Sequence, residues 1–182
     1  MKKRTAVRAA VGAGAAALAA VALAVPLLAS ADTGSGSGAG SGTGGDDHDP
    51  ADPETYVAEV VELTNEQRME HGCGELRLDD DLLVPAQEHS QDMADNDYMD
   101  HVGSDGREPG DRVEDSEYPG SYGAENVAAG YETPEDVVDG WMNSDGHREN
   151  ILNCELTAIG VGYAENENSQ YELYWTQLFG VD

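Results

Sequence analysis

From Pro53 onward, apolar and small residues return every three or four positions: Tyr56, Val57, Val60, Val61 and Thr64, with Arg68 and Met69 carrying the run to Gly72. That period predicts an amphipathic helix, and Pro53 or Glu54 suits its first turn. A second run, Leu82, Leu83, Ala86, His89, Ser90, Met93 and Ala94, follows Asp79, Asp80 and Asp81. An Asp cap and an acidic first turn complement the exposed N–H groups at a helix start. Residues 97–119 are rich in Gly, Asp and Pro and read mainly as loop. Residues 124–129 are short and apolar, as in a strand. Thr133-Pro134-Glu135-Asp136 reads as a helix start, with Thr as cap and Pro at the first helical position. That helix carries Val137, Val138, Trp141 and Met142. Ser144 is placed to cap another short helix running through His147 to Leu152.

The last quarter changes period. Residues 158–164 and 171–179 read as strands, and the polar stretch 166–170 between them is turn-like. Strands joined this closely predict an antiparallel hairpin. Helices come first and strands mostly later, so the expected class is α+β.

The N-terminus follows a different pattern. Lys2, Lys3, Arg4 and Arg8 precede an Ala/Val/Leu-rich run, and Ala29-Ser30-Ala31 is a small-x-small cleavage signal. This predicts a signal peptide over 1–31 and a secreted, extracellular protein. Residues 32–53 are rich in Gly, Ser and Asp, a composition that cannot bury a core, and read as a flexible linker. His48 in that stretch reads as solvated. The predicted domain is 54–182. Removing 1–31 takes four of the nine basic residues and none of the 37 acidic ones, which leaves five against 37, a formal charge of −32. Such a surface repels nucleic acid and anionic membranes. It also suits a saline exterior, where salt screens self-repulsion. No second apolar run predicts a transmembrane segment after cleavage, and a monomer is expected.

Two cysteines remain, Cys73 and Cys154. In an exported chain an even pair favours one disulfide over free thiols or metal ligands, since no CxxC spacing supports a metal cluster. Closing a loop of about 80 residues would stabilise by about 3–5 kcal/mol.

Candidate chemistry centres on His101, Glu125 and His147, a set marked out by motif resemblance to a known family. Two imidazoles and a carboxylate form a ligand set for zinc or a similar divalent ion with an open water position. Without metal they could move protons near neutral pH. Glu125 stands in a small, apolar segment, and a buried carboxylate needs partners, which the histidines could supply. His89 falls on an apolar helix face and reads as a core histidine. His71 reads as exposed at a helix end. Asn126 reads as satisfying nearby backbone groups. Trp141 and Trp175 read as packing.

Several segments in order carry a family resemblance: His101-Val102-Gly103, Glu125-Asn126-Val127-Ala128, the stretch from Trp141 through Asn143-Ser144-Asp145-Gly146-His147-Arg148-Glu149-Asn150 to Leu152, and Tyr174-Trp175-Thr176-Gln177-Leu178-Phe179-Gly180. Asn65-Glu66-Gln67-Arg68, Ala86-Gln87-Glu88-His89-Ser90 and Ile159-Gly160-Val161-Gly162-Tyr163 add to it. Together they resemble the bacterial branch of the CAP superfamily, the SCP-like extracellular domains. The resemblance implies an α–β–α sandwich around a central antiparallel sheet. It also implies an open groove in which His101, Glu125 and His147 converge, with Ser144 beside them. Many eukaryotic members carry a Glu three positions after the tryptophan, where this chain has Ser144, so the resemblance does not supply a complete four-residue metal site.

Two functions follow as expectations. The first is an extracellular binding module whose groove takes a small ligand, a lipid, a peptide, a cell-wall fragment or a divalent ion. The alternative is a metal-assisted, peptidase-like hydrolase with His101, Glu125 and His147 as its catalytic candidates. Ser144 lies three residues from His147, but no GxSxG is present and a helix cap explains it more cheaply.

Overall fold

The computed structural model describes residues 52–182. The expected signal peptide over 1–31 and most of the expected linker over 32–53 lie outside the described residues. Helix α1 (Pro53–Glu70) buries Tyr56, Val57, Val60, Thr64 and Arg68, the face its period predicts. A two-residue strand, β1 (Arg77–Leu78), leads into α2 (Asp80–Asn96). Asp79 caps α2, its side chain accepting from the Asp81 N–H at 2.9 Å. Asp97 ends α2 in the left-handed region at φ 55°, a conformation that Asp tolerates better than most residues.

A short helix, α3 (Pro109–Glu114), interrupts the segment read as loop. Its start signal is local: Pro109 takes the first turn, and Asp111 Oδ2 accepts from the Glu108 N–H at 3.0 Å. Strand β2 (Ser121–Ala129) is longer than the predicted 124–129. Thr133 caps α4 (Pro134–Met142), its hydroxyl accepting from the Asp136 N–H at 3.2 Å. Helix α5 (Asp145–Ile151) follows Ser144, whose hydroxyl makes no capping bond. The hairpin of β3 (Ala158–Glu165) and β4 (Leu173–Val181) closes the chain.

The strands form one sheet in the order β1-β3-β4-β2. The pairs β3–β4 and β2–β4 are antiparallel, whereas β1 pairs with β3 in parallel, so the sheet is antiparallel except at that edge. Period two along β3 builds the layers. Ile159, Val161 and Tyr163 join Tyr56, Val60, Val137, Trp141, Trp175 and Phe179 in the main core. The intervening Gly160 and Gly162 face α2. A Cβ on either would run into the main-chain carbonyls of Leu82 or Ala86, so only glycine lets α2 lie this close to the sheet. A second cluster, including Leu82, Ala86, Ala158 and Leu178, fills that side. Helices therefore cover both faces, as the α–β–α sandwich requires.

Side chains cap both edges of the sheet. The Gln87 amide donates to the Tyr163 carbonyl at 2.8 Å and accepts from its N–H at 3.0 Å, much as a neighbouring strand would. On β2, Asn150 Nδ2 donates to the Glu125 carbonyl at 3.1 Å, and the Trp141 indole donates to that of Val127 at 3.4 Å. Such capping guards an edge against adding a further strand.

Cys73 and Cys154 are bonded, with Cα atoms 4.9 Å apart. The bridge ties the end of α1 to the turn after α5. Arg68, 1% exposed, reinforces the same junction by donating to the carbonyls of Gly74, Ile151, Asn153 and Leu156 at 2.8–3.0 Å.

Candidate functional site

Glu125 lies in the middle of β2, opposite Leu178 of β4, and its side chain is 1% exposed. A carboxylate this deep must be compensated. Oε1 accepts from His101 Nδ1 at 2.8 Å, and Oε2 accepts from Arg112 Nη2 at 2.6 Å. Arg112 is itself buried, on α3. The same Nη2 donates to the His101 carbonyl at 3.0 Å, and Nη1 donates to that of Arg107 at 3.1 Å. One guanidinium thus neutralises the carboxylate and also pins the loop that carries the histidine.

His101 is held from a second direction. His89 Nε2 donates to the neighbouring Asp100 carbonyl at 2.9 Å. His89 is buried as predicted, and burial pushes its pKa below the usual imidazole value. The hydrogen bond to Glu125 pushes His101 the other way, against a smaller desolvation effect. The His101 side chain is half-exposed, with Nδ1 spent on Glu125.

His147 is half-buried on α5. Burial lowers its pKa, and the charge on His101 lowers it further, so the two imidazoles sense one another. No hydrogen bond joins His147 to Glu125 or His101. Its carbonyl accepts from Asn126 Nδ2 at 3.2 Å. Asn126 satisfies buried groups as expected: it also donates to Gln177 at 3.1 Å and accepts from Asn150 Nδ2 at 2.9 Å. The two tryptophans are buried and serve packing, and His71 is exposed.

An open cleft of about 600 Å³ runs over this cluster. Its wall includes His101, Glu108, Gly110, Tyr122, Glu125 and Asn150, but neither Ser144 nor His147. A separate cleft of about 610 Å³ is more apolar and lies among Val57 of α1, Leu83 and Gln87 of α2, and Tyr163 of β3. It holds none of the candidate residues.

His101 and Glu125 are paired directly, whereas no hydrogen bond ties His147, the third member of the expected zinc set, to either. Among the described residues, no group of three or more His, Cys, Asp or Glu side chains is placed to hold a metal ion. The Arg112 charge sits 2.6 Å from Glu125, so a divalent ion on the same carboxylate would be set beside a buried cation.

Residues 61–179 match the family model described as the cysteine-rich secretory protein family, CAP. This chain belongs to the CAP family. It is 42% identical over 130 residues to the uncharacterized protein YkwD of Bacillus subtilis, covering 71% of this chain and 49% of that relative. It is similar in structure to an extracellular SCP-domain protein from Bacillus anthracis, with 32% identity, a TM-score of 0.64, and coverage of 71% of this chain and 41% of the other. An outer surface protein from Borrelia burgdorferi matches with 25% identity and a TM-score of 0.63, covering 72% of this chain and 96% of that one. The chain spans 49% and 34% of the length of two curated Bacillus subtilis relatives. Among the described residues, no helix is long and apolar enough to cross a membrane.

The sequence singles out Glu125 and His101, which the structure brings together, but not Arg112 and Tyr122, which lie beside them. A signal for Arg112 was available. Only five basic residues follow residue 31, and a carboxylate in an apolar strand needs a cation.

Proposed function

We propose that this CAP domain is an extracellular binding module, exported by residues 1–31, whose cleft at His101 and Tyr122 takes a small polar ligand without a metal ion. The observation that carries this reading is the double anchoring of Glu125 by Arg112 and His101. It fixes an imidazole on the cleft wall before any ligand arrives, and pre-ordering of this kind lowers the entropic cost of binding. It also leaves Glu125 with both oxygens engaged, a poor general base, which favours binding over hydrolysis. The extracellular and outer-surface character of two similar proteins supports export.

A protein-observed NMR fragment screen tests the reading. Fragments should cluster on the signals of His101, Tyr122 and Asn150. Fragments that bind only at Val57 and Leu83, or nowhere, would contradict it.

A further inference from the structure

We propose that the cleft takes a neutral oligosaccharide, with one sugar ring stacked on Tyr122 and its hydroxyls meeting the unpaired polar groups alongside. The inference rests on the reading of this cleft as a binding site.

Tyr122 is 40% exposed on the cleft wall. Its ring lies over Gly110, where an added Cβ would stand 3.6 Å from Tyr122 Cδ1. Gly110 therefore supports the ring without crowding it. An aromatic ring held at a wet surface, apolar on its face and polar at its tip, suits a partner that is itself part apolar and part hydroxylic. A sugar ring has that character.

The neighbouring groups match hydroxyls rather than charges. Asn150 commits its Nδ2 to the Glu125 carbonyl and to Asn126, so its Oδ1 remains to accept. His101 commits Nδ1 to Glu125, so its Nε2 faces no protein partner among the described residues. The Tyr122 hydroxyl likewise has none among them. Glu108 adds an exposed acceptor. Hydroxyl groups both donate and accept, so one polyol can satisfy all four.

Other ligand classes fit less well. An anionic polymer meets a chain of net charge −28 and the Glu108 carboxylate. A peptide adding as a strand finds the β2 carbonyls of Glu125 and Val127 already taken by Asn150 and Trp141. The volume of about 600 Å³ is within the range of small-ligand sites, and an open cleft lets a chain continue past its ends.

The test is an NMR titration of the isotope-labelled full chain with cellotetraose and with chitotetraose, and with polygalacturonate as the anionic control. At least one neutral oligosaccharide should shift His101, Tyr122 and Asn150 saturably. Tyr122→Ala should weaken that binding about tenfold, whereas Tyr122→Phe, which keeps the ring, should lose about threefold at most. Preserved signal dispersion elsewhere would show that both variants fold. The inference is overturned if neither neutral sugar shifts the cleft, if Tyr122→Ala binds as wild type does, or if polygalacturonate binds as tightly. Sugars that fail while fragments still cluster in the cleft sink this inference alone. Fragments that avoid the cleft sink the reading beneath it.

Discussion

Arg112 Nη2 stands 2.6 Å from Glu125 Oε2, and both side chains are at least nine-tenths buried. This pair is the keystone of the candidate site, because the same nitrogen also holds the loop carrying His101. Removing one partner leaves the other charged and unpaired in the interior. Arg112→Met should therefore destabilise the fold by about 3–5 kcal/mol in urea unfolding. The double variant Arg112→Met, Glu125→Leu should recover most of that loss, since no charge is then stranded. A single-variant loss below about 1 kcal/mol, the range of surface pairs, would show that the pair is not buried in solution.

His101 and His147 should titrate on opposite sides of the ordinary imidazole value of about 6.5. His101 is raised, first by its hydrogen bond to Glu125, and His147 is lowered, first by burial. The signs for stability follow. The His101 contribution is fully present below the unfolded pKa and is lost as pH rises through the raised folded value. The His147 contribution is present above the unfolded pKa and is lost as pH falls towards the lowered folded value. Histidine NMR titrations should show both midpoints. Glu125→Gln should lower the His101 midpoint, and His101→Gln should raise that of His147. Coincident midpoints that neither variant moves would remove the coupling.

Much of this architecture was legible because its signals are local. Asp79 before Leu82 announces α2, Thr133-Pro134 announces α4, and alternation from Ile159 to Tyr163 announces β3. Glu125 stood out as a carboxylate among small apolar residues, and His101 through the motifs that resemble the CAP family. The parts that were not legible depend on contacts distant in sequence. Arg112 reaches Glu125 across 13 residues and through a helix that Gly and Asp disguise as loop. Strand β1 has two residues and exists only because it pairs with β3. The partner of Glu125 was hidden for the same reason: only the fold shows that a guanidinium holds this carboxylate.

Reducing the Cys73–Cys154 bond should cost about 3–5 kcal/mol, given its 81-residue span. The Arg68 bonds to four carbonyls should keep the junction folded at moderate temperature. Thermal melts with and without reductant should show a lower but still cooperative transition. An unchanged melting temperature would mean that the bridge adds nothing to the fold.

Zinc calorimetry at pH 7 on the wild-type chain and on its His101→Gln and His147→Gln variants bears most directly on a cleft built around a guanidinium rather than a metal. With Arg112 already on Glu125, the wild type should show at most weak, non-saturating heat from its acidic surface, unchanged in either variant. Saturable one-to-one zinc binding that disappears in both variants would contradict this assignment.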